Sequence, residues 1–184
     1  MKTKLLTFLI LAIGLISCNS KATKHQSNDL YNQGVTEMSR INLDSLDNDY
    51  STAIKFFSET IDLDSKNFAA QYWKMYCEMR MNKLDNARMT FKKAIKNGLN
   101  DTNKLAPEFY VSAGLIDKMN KINSTKNFDK ADKIFSSRVK RDKNNIDAIA
   151  NKAILYCYLD KKNEAIAYID LMISKVDSSS ILID

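Results

Sequence analysis

The sequence predicts an all-α chain, a solenoid of about four helix hairpins, and three observations lead there. Four glycines and one proline are few for a β-rich chain full of tight turns. Beyond its first segment the chain is rich in Ala, Leu, Ile, Met, Lys and Asn, which suits helices joined by polar turns. A short pattern also returns: an alanine is followed four residues later by a large apolar residue, with the alanines at 53, 87, 131 and 165 spaced 34, 44 and 34 apart. Self-similarity at such a period marks stacked supersecondary units.

Residues 1–17 come first. Lys2 and Lys4 make a short positive start, and an apolar run follows from Leu5 to Ile16, broken by Thr7 and Gly14. Such a run is the core of a secretory signal and is short for a membrane-spanning helix, which needs about 20 residues. It ends in Leu15-Ile16-Ser17-Cys18, which resembles the lipobox of bacterial lipoproteins. The resemblance implies cleavage before Cys18 and lipid on that cysteine. Acyl chains contribute about 0.8 kcal/mol per buried CH₂, so more than one makes the anchor stable. Asn19 rather than Asp after the cysteine resembles lipoproteins sorted outward, which implies the outer membrane facing the periplasm. Residues 18–28 are polar and aperiodic, and read as a flexible lipidated tether.

The repeat domain is expected over 29–176, with helices at roughly 29–41, 50–63, 67–81, 84–97, 106–122, 128–141, 145–159 and 162–176. The second helix of each pair carries the pattern. Tyr50-Ser-Thr-Ala53-Ile-Lys-Phe-Phe57 matches Leu84-Asp-Asn-Ala87-Arg-Met-Thr-Phe91, Phe128-Asp-Lys-Ala131-Asp-Lys-Ile-Phe135 and Lys162-Asn-Glu-Ala165-Ile-Ala-Tyr-Ile169. Residues three before, at, and four after the alanine share one helix face. The small residue admits a neighbouring helix, and the large one fills the space beside it. The preceding helices carry their own small position at Gly34, Gly114 and Ala153, with Met75 departing from the pattern. Between pairs, Leu63-Asp-Ser-Lys-Asn-Phe-Ala-Ala70 and Arg141-Asp-Lys-Asn-Asn-Ile-Asp-Ala148 make similar links, and Pro107 opens the fifth helix, where its missing N–H costs nothing.

These segments resemble the tetratricopeptide repeat, whose unit is a helix–turn–helix of 34 residues. The links resemble that family's Leu-Asp-Pro-Asn-Asn, with Ser65 and Lys143 in place of the proline. The resemblance implies a right-handed α-solenoid whose first helices line a concave groove. Register carried over from the small positions puts Tyr31, Tyr72, Tyr76 and Arg80 towards that groove, with Lys118 and Tyr158 in similar places further on. Tyr and Arg dominate binding hot spots. The alternative for each tyrosine is to fill space between helices with its hydroxyl at the rim.

The chemistry-bearing residues exclude more than they suggest. His25 is the one histidine, and there is no CxxC, no Gly-rich phosphate loop and no HExxH. No catalytic residues, cofactor or metal are expected, and the carboxylates read as caps and dipole partners at helix ends. Asp44, Asp47 and Asp49 lack the glycine and closing glutamate of an EF-hand loop, and read as a solvated turn. Cys77 and Cys157 lie among apolar residues and are expected to be two buried free thiols, too far apart to bridge. Residues 71–143 hold seventeen basic and eight acidic side chains, while 18–70 and 144–184 are acidic on balance. The expected function is a non-catalytic adaptor or scaffold of the cell envelope that holds another protein or peptide and binds no nucleic acid. The alternative is a helical envelope protein that uses the basic middle to bind an acidic ligand or glycan, with or without catalysis. The last expected helix is apolar on several sides, so the 177–184 tail, through Ile181–Ile183, is expected to fold back over it, to leave that face to a second protein, or to fray.

Overall fold

The computed structural model describes residues 23–41 and 49–180. Among these lie eight helices: α1 over 23–40, α2 Ser51–Leu63, α3 Phe68–Arg80, α4 Leu84–Lys96, α5 Ala106–Met119, α6 Thr125–Arg141, α7 Ile146–Tyr158 and α8 Lys162–Ser180. The expected all-α class of tetratricopeptide-like hairpins is what the chain forms. The expected signal segment, Cys18, most of the 42–49 loop and residues 181–184 lie outside the described residues. Contacts divide the chain into two compact units at Gly98–Leu99. Gly98 closes α4 at φ +102, a left-handed conformation that side chains resist.

In unit 1, α1 packs on α2, α2 on α3 and α3 on α4. The packing between α1 and α2 is close: a Cβ added to Gly34 would lie 2.6 Å from the Phe57 ring. Tyr50 and Phe57 are fully buried, with Ala53 between them at 1% exposure. Met75 of α3 is itself fully buried, so the missing small residue there is replaced by a filled contact rather than a close one. In unit 2, α5 packs on α6, α6 on α7 and α7 on α8. A Cβ on Gly114 would meet Phe128 at 2.6 Å. Ala87 and Ala131 have no exposed surface and Ala165 has 3%, so all four pattern alanines are core residues.

The links fold alike because they are chemically alike. The Asp64 and Asp142 carboxylates accept from the backbone N–H groups of Lys66 and Asn144, and Asn67 and Asn145 then cap α3 and α7 by accepting from Ala70 N and Ala148 N. Within hairpins, α3, α5 and α7 each end on a left-handed residue, Asn82, Lys121 or Asp160. The next residue then donates back five positions: Lys83 N to Glu78 O, Ile122 N to Asp117 O and Lys161 N to Tyr156 O. That is the Schellman closure.

Three expectations need correction. Residues 23–28 belong to α1 rather than to a tether. Ser27 is 1% exposed, and its hydroxyl reaches the Thr60 carbonyl at 3.5 Å. Ser27, Tyr31, Gly34 and Met38 form one face at spacings of 4, 3 and 4, and a small polar residue at its start conceals the pattern. Helix α8 continues through Ser180, so 177–180 is helical rather than tail. Cys157 is exposed, because it lies about 200° around α7 from buried Leu155. Cys77 is fully buried. Its burial, followed by the charge of Glu78, pushes the thiol up to about 12. Both thiols are free.

Candidate functional site

Unit 2 holds an open cavity of about 500 Å³ where the start of α5, the end of α6 and the start of α7 meet. Glu108, Arg138, Arg141, Asp147 and Asn151 supply most of its polar lining, over a floor that includes Phe135 and Ala148. Pro107 and Glu108 stand in the first turn of α5, and Asp147 in the first turn of α7. Arg138 holds the segment before α5 in place: its two terminal nitrogens donate to the carbonyls of Lys104 and Asn103, each at 2.9 Å. Glu108 keeps one carboxylate oxygen, Oε2, buried without a hydrogen-bond partner. Burial raises its pKa, Arg138 opposes that rise, and Asp147 adds to it. Glu108 and Asp147 bring carboxylates to this lining and Arg138 and Arg141 bring guanidinium groups, so charges of both signs border the cavity.

Beside it, α6 lines a second cavity of about 380 Å³ with Lys130, Lys133, Ser137 and Arg141, closed by Asp101. Lys130 is hydrogen-bonded to Asp101, which raises its pKa, and its ammonium lies 6.0 Å from the Tyr110 ring centroid. Among the described residues no group of three or more His, Cys, Asp or Glu side chains could hold a metal ion. No helix of the described residues is long and apolar enough to cross a membrane.

The groove residues named from sequence fall into two clusters. In unit 1, Trp73 joins Tyr72 and Tyr76, edge to face, at 5.2 and 5.8 Å between centroids. All three rings are half-buried, and Arg80 is exposed at the end of the same helix. Tyr31 is half-buried with its ring 6.1 Å from that of Phe57, so much of it fills space between α1 and α2. In unit 2, Lys118 and Tyr158 come together: the Lys118 ammonium donates to the Tyr158 carbonyl at 3.1 Å, at the C-terminal end of α7 where a cation is favoured. It also pairs with Asp160 at 3.5 Å, an exposed contact of small worth.

Sequence reasoning missed Trp73, Glu108, Arg138, Asp147 and Lys152. Trp73 had a signal, as the one tryptophan between two singled-out tyrosines. Glu108 and Asp147 had none, because an acidic first-turn residue looks the same whether it faces a cavity or only complements the dipole. Lys152 had one too: it sits four residues after Ala148, on that helix's buried face.

Comparison with known proteins adds a fold. No protein-family model and no curated protein sequence matches the chain. Among solved structures, a crystal structure of MamA, a tetratricopeptide-repeat protein, is similar at 19% identity and TM-score 0.50, over 87% of this chain and 84% of that one. MamA from Desulfovibrio magneticus RS-1 gives 15% identity and 0.48, over 83% and 76% of the two chains. Pseudomonas aeruginosa PilF gives 16% and 0.47, over 92% and 75%. The chain has the tetratricopeptide-type fold, and at such identities the likeness speaks to fold alone.

Proposed function

We propose that this chain is a non-catalytic interaction scaffold, held in the bacterial cell envelope by lipid on Cys18, that binds a partner protein or peptide across the first helices of its hairpins. The observation that carries this reading is the open cavity of about 500 Å³ between α5, α6 and α7, with charges of both signs at its edge and an unpaired carboxylate oxygen in its wall. An open, charged recess suits the side chains of an extended partner better than it suits a small substrate that must be enclosed. The exposed Arg80 and Tyr158 add anchors of the type that carries binding energy, with Lys118 beside Tyr158. The Leu15-Ile16-Ser17-Cys18 segment supports the anchor, and Asn19 supports the outer membrane facing the periplasm.

Two experiments test this. Cys18→Ala should move the protein from the detergent phase to the aqueous phase, or leave it unprocessed, and abolish metabolic lipid labelling; a wild-type protein without label refutes the anchor. A photo-crosslinking residue at Asn151 or Tyr158 should trap one discrete partner in intact membranes, whereas the same residue at exposed Met89 should not. Equal yields at all three positions refute the groove. A second reading, an acidic ligand bound by unit 2, is favoured by the two lysines and two arginines of the 380 Å³ cavity. It predicts glycan or polyphosphate binding that Lys133→Glu weakens and added salt screens.

A further inference from the structure

Helix α8 presents an apolar face that its counterparts α2 and α6 bury, whereas in α4 the same positions include the polar Arg88 and Lys92; the α2 and α6 hairpins specify what covers such a face. This face comprises the positions one, four, five and eight residues after the pattern alanine. In α2 these are Ile54, Phe57, Ser58 and Ile61; Phe57 is fully buried, Ile61 is 8% exposed, and these two pack with Ile54 in one core with Ala70 and Cys77 of α3. In α6 they are Asp132, Phe135, Ser136 and Val139, which receive α7. Phe135 is 1% exposed and packs with Ala148 and Leu155, while Asp132 and Ser136 hold the Lys152 ammonium at 3.0 and 2.6 Å. In α8 they are Ile166, Ile169, Asp170 and Ile173, with the isoleucines 44%, 39% and 50% exposed.

The helices received at this face share a pattern. Helix α3 reads Asn67-x2-Ala70-x3-Lys74-x2-Cys77, and α7 reads Asn145-x2-Ala148-x3-Lys152-x2-Leu155. The alanine and the residue seven after it lie on one helix stripe and face the receiving helix, and the lysine falls between them. On α7 that lysine meets the residue five after the receiving alanine, Ser136. On α8 the same position is Asp170, an exposed carboxylate.

We propose that the Ile166–Ile169–Ile173 face of α8 docks an amphipathic α-helix of a partner protein, one that presents a small residue, a lysine or arginine four residues on, and an apolar residue seven on, with the cation paired to Asp170. A second copy of the chain fits less well. In a second copy, both helices with this pattern are already packed: Ala70, Cys77 and Leu155 have no exposed surface.

The test uses the mature chain and a stapled helical peptide with the sequence of residues 145–158, followed by fluorescence anisotropy. The peptide should bind in a saturable manner. Ile169→Asp and Ile173→Asp should abolish binding, while Ile154→Asp, at an exposed site on α7, should not. Asp170→Lys should weaken binding by roughly tenfold or more, and a peptide with glutamate in place of its lysine should recover affinity for that variant. Circular dichroism melts matching wild type establish that the α8 variants are folded, since these side chains are already exposed. Several results overturn the proposal: binding indifferent to the α8 variants, no rescue by the charge swap, a dimer that Ile173→Asp dissolves, or binding that appears only when residues 181–184 are deleted.

Discussion

Helix α3 of unit 1 and helix α7 of unit 2 share a frame: an asparagine cap, a buried alanine three residues on and a lysine seven residues on. The ions buried on that frame have opposite signs. In unit 1 the lysine, Lys74, keeps 22% of its side chain exposed and lies 4.0 Å from Glu78. Glu78 is the buried ion: at 4% exposure it accepts a hydrogen bond of 2.7 Å from the Thr90 hydroxyl of α4. In unit 2 the lysine itself is buried. Lys152 is 3% exposed, donates to Ser136 and pairs with Asp132 on α6, and lies over the rings of Tyr156 and Tyr168 at 5.2 and 4.8 Å. The repeat therefore fixes the small and large apolar contacts, while the polar group that crosses from helix to helix is settled locally in each unit.

The largest expected effect separates the two lysines. Burial disfavours the Lys152 charge, but Tyr168, Asp132 and Tyr156 more than offset that, and its pKa is raised. Lys152→Ala removes the cation, leaves Asp132 without its partner and vacates the space between the tyrosine rings. Breaking a buried pair costs about 3–5 kcal/mol, and the lower end applies here because Asp132 is still 32% exposed. Lys74→Ala should cost no more than about 1 kcal/mol, because the pair is long, at 4.0 Å, and Glu78 keeps its hydrogen bond from Thr90. Urea denaturation of both variants checks the difference, and equal losses would break the comparison.

The next effect should be alike in both units. Ala87 in α4 and Ala131 in α6 are each fully buried at the same register. Leucine at either site must push helices apart or adopt a strained rotamer, at about 1–3 kcal/mol. A loss in one unit and none in the other, read from denaturant midpoints, would show that the two hairpins do not share the packing that their sequences share.

Those alanines show what was legible in the chain. A small residue followed four later by a large one has a geometric reason to recur, so spacing located the second helix of each pair and the four core alanines. The Asp…Asn links were legible for the same reason, since each supplies its own turn and cap. Helix α1 was legible only in part, because its early face begins with Ser27, whose hydroxyl makes it look like linker. The cavity in unit 2 was not legible. Glu108, Arg138 and Asp147 meet across three helices, and no local pattern distinguishes them from solvated surface charges. Lys118 and Tyr158 were placed towards the groove from register alone; that the Lys118 ammonium meets the Tyr158 backbone carbonyl had no signal in the sequence.

The smallest predicted effect turns on the sign of the charge buried in unit 1. Burial raises the pKa of Glu78, and the Thr90 hydroxyl, Lys74 and Lys83 counter that only in part. The folded chain therefore holds this proton more tightly than the unfolded chain does. A group of that kind costs nothing below its unfolded pKa, and stability falls as pH rises from there through the folded value. Glu78→Gln keeps an oxygen to accept from Thr90 and removes the charge, so it should stabilise the protein near pH 7, read as a higher urea midpoint. The gain should vanish near pH 4, where the wild-type carboxyl is itself protonated. Glu108 titrates in the same direction but is present in both proteins, so the difference between their urea midpoints across pH isolates Glu78. Lys152, also raised, gives stability that is complete below the ordinary lysine range and is lost only as pH climbs through its folded value, so it leaves this window undisturbed. A Glu78→Gln variant that is less stable than wild type near pH 7 would mean that Lys74 and Lys83 outweigh burial, and that unit 1 holds a true ion pair like that of unit 2.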